Sequence, residues 1–176
     1  MQRRLAAIFA AGVVGYSRLM ESDEETTLRT LKSPCEVIDR LITLYGGRVF
    51  STAGDSVVAE FRSAVEAVRA AMDIQEEIKV RNQQLSDDGK MMLRIGVNLG
   101  DIMVEGDNLY GDGVNVAARL EELCASGEVY VSGIVHGQVE GKLLLGFEDM
   151  GERTVKNIYK PVRVYRVRTS NEDNID

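Results

Sequence analysis

The sequence predicts an α+β sandwich, with a ferredoxin-like βαββαβ core followed by a small α/β extension. Short, apolar, β-capable runs alternate with two long stretches whose apolar residues recur every three or four positions. Their order is strand–helix–strand–strand–helix–strand. No repeat or linker interrupts the 176 residues, a length that suits one domain with a substantial core.

Leu5 to Val14 reads as a buried strand rather than a signal peptide, because Arg3 and Arg4 lead straight into it. Ser22 and Glu25 form an S-x-x-E capping box that opens a helix. Leu28, Leu31, Cys35, Ile38, Leu41, Ile42 and Tyr45 supply its apolar face. Pro34 lies inside that pattern and should kink or break the helix, at a cost of roughly 3 kcal/mol if interior. Arg48 to Ser51 and Ser56 to Phe61 read as strands around a turn with Asp55 at its tip. Ala64, Val65, Val68, Ala71, Met72, Gln75 and Ile78 mark a second amphipathic helix. Ser86 to Gly89 is a loop. Met91 to Asp101 is a strand that Ile102 to Glu105 continues past a bend. After the Gly106-Asp107 turn, a helix runs from about Gly113 to Cys124. Its face of Val116, Leu120 and Leu123 is core. Glu128 to Val131 is a short strand and Ile134 to Gly141 a short helix. Leu143 to Phe147, Gly151 to Lys156 and Arg163 to Arg168 read as late strands, and residues 169–176 as a frayed acidic tail.

Hydrophobic residues make up 44% and charged residues 28%, as in an ordinary soluble protein. The net charge of −7 argues against a nucleic-acid binder, which needs a basic surface. No apolar run reaches the ~18–20 residues of a membrane span. Cys35 and Cys124 are the only cysteines and His136 the only histidine, so neither a zinc site nor histidine-based nucleophilic catalysis is expected. Two buried thiols in a reducing cytoplasm and a surface or satisfied histidine fit this composition.

The most informative stretch is Asn108-Leu109-Tyr110-Gly111-Asp112-Gly113-Val114-Asn115-Val116-Ala117-Ala118-Arg119. A glycine-rich turn feeds a helix that carries an amide and a guanidinium four residues apart, on one face. An orienting amide and a guanidinium that forks onto phosphate suit phosphoryl chemistry, although an Asn and an Arg on a helix also fit a solvated face. The Gly54-Asp55 pair likewise fits plain turn chemistry.

That stretch resembles the signature helix of the class III nucleotide cyclases, the adenylate and guanylate cyclase family. Leu99-Gly100-Asp101 and the closing Pro161-Val162-Arg163-Val164-Tyr165 extend the resemblance over about residues 3–168. It implies ATP or GTP as substrate, a 3′,5′-cyclic nucleotide and pyrophosphate as products, and Mg or Mn as cofactor. It also implies a site that exists only at the interface of a homodimer or heterodimer. In the family, two aspartates of one protomer hold the metals, while the helix asparagine and arginine come from the other. Asn115 and Arg119 match the residues that orient the ribose and stabilise the pentavalent phosphorus. Lys156 matches the triphosphate-binding lysine, and Asp55 the second metal aspartate.

Two parts depart from the family pattern. Gly12, in Ala10-Ala11-Gly12-Val13-Val14-Gly15-Tyr16-Ser17, stands where the first metal aspartate is expected. This leaves the Val13 carbonyl, which the family also uses as a ligand; the carboxylates of Glu60 and Asp101 lie on other elements. Ser51 and Asn108 occupy the purine-reading positions and carry groups able to bond a purine edge. A cyclase weakened as a homodimer is therefore expected. The alternatives are a catalytically inactive nucleotide-binding or dimerisation module, and the Asn/Arg-supplying half of a heterodimer.

Overall fold

The computed structural model describes residues 2–50 and 56–169, which form an eight-stranded mixed sheet with helices on both faces. The core comprises β1 (Gln2–Val13), α2 (Glu24–Leu44), β2 (Arg48–Val49), β3 (Val57–Phe61), α3 (Ala64–Gln83) and β4 (Leu93–Glu105), with α1 (Tyr16–Ser22) between β1 and α2. The extension adds β5 (Asn108–Tyr110), α4 (Asp112–Leu123), β6 (Val129–Ser132), α5 (Gly133–Val139), β7 (Leu145–Arg153) and β8 (Val162–Thr169). Strand order is β2-β3-β1-β4-β6-β8-β7, with β5 folded back on β4. The β4–β6 pair is parallel and the other pairs are antiparallel. The expected ferredoxin-like core and α/β extension are both present.

β1 reads as a continuous apolar run because both of its faces are covered. Its odd positions Ala7, Phe9 and Ala11 pack with Ile38, Ile42, Val68 and Ile74 of α2 and α3. Its even positions Ala6, Ile8 and Ala10 pack with Ile102 and with Ala117 of α4. The two-residue strand period thus sends Gly12 to the α4 side. α4 lies very close to the sheet at Gly96, which pairs with Ala10. A Cβ on Gly96 would lie 2.6 Å from both the Ala117 carbonyl oxygen and the Glu121 amide nitrogen.

Several boundaries differ from the sequence expectation. Ser22 ends α1 instead of capping α2. Asp23 is the cap, its carboxylate accepting from the Thr26 N–H at 3.0 Å. That bond lowers the Asp23 carboxyl below its ordinary pKa. α2 runs through Pro34 without a break, and the buried ring provides packing that offsets the missing hydrogen bond. β4 is also continuous over its 13 residues. The predicted strands 143–147 and 151–156 merge into one bulged strand, β7, with an irregularity between Asp149 and Glu152. There the Gly151 N–H donates to Asp149 at 2.8 Å, and Arg163 donates to both oxygens of the same carboxylate. The Gly151 bond, then Arg163, hold that carboxyl below its usual range. Thr169, assigned to the tail from sequence, pairs with Leu145 inside the sheet.

The expectation of two buried thiols fails at Cys35, which is exposed on α2. Cys124 is 3% exposed, and burial pushes its thiol pKa up to about 12. Ellman's reagent should therefore label Cys35 in the native protein and Cys124 only after denaturation. Rapid labelling of both would contradict the burial of Cys124 at the C-terminal end of the helix 112–123. His136 stacks on Tyr165 at 4.0 Å and meets Phe147 edge-on at 4.9 Å, as a satisfied histidine should. Among the described residues, no helix is long and apolar enough to cross a membrane.

Candidate functional site

α4 starts immediately after Gly111, whose φ of 117° suits glycine. The buried Asn98 amide donates to the Gly113 carbonyl at 3.1 Å and ties this first turn to β4. Val116, Ala117 and Leu120 are buried, as the apolar spacing requires. That leaves Asn115 exposed and Arg119 half-buried on another face of the helix. Arg119 donates from Nη1 to Glu122 at 3.3 Å.

The loop between β7 and β8 lies along α4 at the edge between its buried face and this one. Val155 and Ile158 pack with Val116 and Leu120, and the Ile158 N–H donates to the Val155 carbonyl at 3.0 Å. Lys156 and Asn157 form the exposed tip of that turn, and Asn157 adopts a left-handed φ of 66°. Lys156 is thus on a loop, not on the strand expected from sequence. The result is an open cleft of about 480 Å³ lined by Asn115, Ala118, Arg119 and Glu122 of α4 and by Thr154, Val155, Lys156 and Asn157. Three residues selected from sequence, separated by up to 41 positions (156 − 115), share one cavity. Thr154 and Asn157 were not anticipated, since a short loop after an irregular strand carries no periodic signal.

A larger cleft of about 690 Å³ lies beside α3 and includes Gln75, Asn82 and Arg166. Two of its polar side chains brace the fold. Asn82 donates to the Met91 carbonyl at 2.8 Å, and Gln75 to the carbonyls of Leu93 and Glu128 at 3.0 and 2.9 Å. It contains none of the residues selected from sequence, so the smaller cleft is the candidate site.

The remaining candidates are distributed differently. Asn108 is exposed on β5, and Val13 is half-buried at the end of β1; neither lines the cleft. Ser51 and Asp55 lie outside the described residues. Glu60 is engaged by Arg4 through contacts of 2.6 and 2.9 Å, and Asp101 is exposed on β4 opposite Leu5. Among the described residues, no group of three His, Cys, Asp or Glu side chains surrounds a common metal position.

Gly12 itself is buried, and Glu121 lies against it. A Cβ on Gly12 would lie 1.9 Å from Glu121 Oε1, 3.0 Å from its carboxyl carbon and 3.7 Å from Oε2. The volume that a side chain at position 12 would take is filled by a carboxylate from α4. With the Val13 carbonyl next in the chain, this donor chemistry fits a hard divalent cation such as Mg²⁺ or Mn²⁺, which prefers oxygen ligands. The sequence reading missed Glu121 because nothing in its linear position relates it to β1. The available clue was that Ala117 and Glu121 share a helical face.

Comparison with known proteins agrees with this architecture. The family model of the adenylate and guanylate cyclase catalytic domain matches residues 2–169. A Rhizobium meliloti protein assigned as adenylate cyclase 3 is 49% identical over 166 residues, covering 94% of this chain but only 28% of that protein. The crystal structure of the adenylate/guanylate cyclase/hydrolase from Silicibacter pomeroyi has a TM-score of 0.86 at 40% identity, covering 96% of this chain and 98% of that one. The guanylate cyclase domain of RhGC from Catenaria anguillulae, solved with GTP, has a TM-score of 0.81 at 22% identity, covering 96% and 99% of the respective chains, and shares the fold. With its signature helix, its sheet order and a family match over nearly its whole length, this chain belongs to the class III nucleotide cyclase catalytic domains.

Proposed function

We propose that this domain converts ATP to 3′,5′-cyclic AMP and pyrophosphate at an interface between two protomers. The observation that carries this reading is the cleft joining Asn115, Arg119 and Lys156. Lys156 holds the triphosphate as a point charge, and the Arg119 fork stabilises charge on the α-phosphate oxygens. Asn115 orients the ribose so that its 3′-oxygen lies in line with the α-phosphorus. The new bond joins O3′ to the α-phosphorus, the bond to the β-phosphate oxygen breaks, and the 3′-proton leaves with base assistance. Bound divalent cations would lower the pKa of the 3′-hydroxyl and offset phosphate charge. A partner protomer presents the end of β1 and Asp55 to this cleft. Ser51 and Asn108 read the purine edge, and GTP is the competing substrate.

Because Gly12 brings no carboxylate of its own, turnover by a homodimer should be lower than with both aspartates present. The direct test measures cyclic nucleotide from ATP and GTP with Mn²⁺, in the native chain and in Gly12→Asp. The expected result is low Mn²⁺-dependent production that rises in the variant. Absence of product from both would overturn the homodimeric cyclase reading in favour of a dimerisation module. The complete Asn115–Arg119–Lys156 cleft also favours a second reading, the Asn/Arg-supplying half of a heterodimer. Mixing the native chain with Gly12→Asp/Arg119→Ala would then give more product than either chain alone.

A further inference from the structure

We propose that Glu121 supplies, from α4, the metal-binding carboxylate that β1 lacks at Gly12. This inference rests on the cyclase reading and identifies a cation ligand within it. An aspartate at position 12 would extend its carboxyl carbon about 1.5 Å beyond Cβ. Glu121 Oε1 is 1.9 Å from that Cβ position, so the carboxylate reaches the same small volume from the opposite layer of the fold.

Two glycines make the exchange possible. Gly96 lets the α4 backbone settle directly on β4, and Gly12 leaves the space into which the Glu121 side chain extends. Any larger residue at position 12 would displace Glu121. Since Glu121 and Val13 belong to one chain, a homodimer would carry the replacement ligand in both of its sites. Symmetry, which would otherwise repeat the Gly12 defect, then repeats the compensation. A carboxylate on a longer and more flexible arm costs more to order than an aspartate, so the site is weakened rather than lost.

The test reads metal binding independently of turnover. Mn²⁺ affinity is measured by water-proton relaxation with 3′-deoxy-ATP, which lacks the hydroxyl that would cyclise. Three chains are compared: native, Glu121→Gln, and Gly12→Asp/Glu121→Ala. Partners one shell removed from a metal typically change its affinity by ~10–100-fold, and a direct ligand should matter at least as much. Glu121→Gln is therefore expected to weaken Mn²⁺ binding by about tenfold or more. The double variant, which moves the carboxylate back to β1, should recover most of that loss. This recovery would also show that the α4 substitution had not simply unfolded the site. Equal Mn²⁺ affinity in native and Glu121→Gln would overturn the assignment and leave the cyclase reading standing. Binding by the double variant but not by the native chain would overturn it as well. Failure of both native and double variant to bind would remove the cyclase reading and the Glu121 assignment together.

Discussion

Arg119→Ala is expected to lower Mn²⁺-supported cyclic-nucleotide production by about 10²–10³-fold, the usual consequence of removing a donor aimed at transition-state charge. The loss should fall mainly on kcat, because charge on the α-phosphate oxygens develops as the new bond forms. Arg119→Lys should recover little, since a compact ammonium cannot reproduce a planar fork. Stability should hardly change. Arg119 pairs with the exposed Glu122, at 3.3 Å, and pairs of that kind contribute about 0–1 kcal/mol. Thermal unfolding of the variant should therefore match that of the native chain. Unchanged turnover in Arg119→Ala would remove the cleft from the chemistry altogether.

Gly96→Ala should destabilise the fold by about 1–3 kcal/mol, the usual cost of overpacking. The new methyl would be 2.6 Å from the Ala117 carbonyl oxygen and the Glu121 amide nitrogen. Both are backbone atoms, which cannot rotate aside as a side-chain tip can, so α4 must move away from the sheet. For a chain of this size each kcal/mol lowers Tm by roughly 2–4 °C. The same substitution at Gly137, inside α5, has nothing within 4 Å and should be neutral or stabilising by up to about 1 kcal/mol. Chemical denaturation of both variants separates close packing at Gly96 from a general effect of adding a methyl group. Equal stability in Gly96→Ala and the native chain would contradict the close α4–β4 approach.

How far the sequence could be read depended on whether its signals were local. Apolar spacing in α2 and α3, and the apolar run of β1, placed most of the core because burial imposes a period on each element, but Leu5, Leu28 and Cys35 of those patterns are exposed. α4 was located to within one residue at each end, since a glycine-rich turn and an apolar face both mark it. The cap at Asp23 and the single bulged β7 were misread, because neighbouring residues compete for such roles and tertiary contacts select among them. Pro34 is the clearest case of override. Its local cost predicted a kink or break, yet packing keeps α2 continuous through it.

The sequence by itself determined the family, the order of elements and the pairing of Asn115 with Arg119, since each is carried by contiguous residues or helical periodicity. Only the tertiary structure brought Lys156 into their cleft and Glu121 over Gly12. Those meetings depend on sheet order, on a loop anchored by Val155 and Ile158, and on how closely α4 can approach Gly96. They are distances across layers of the fold, and linear spacing does not encode them.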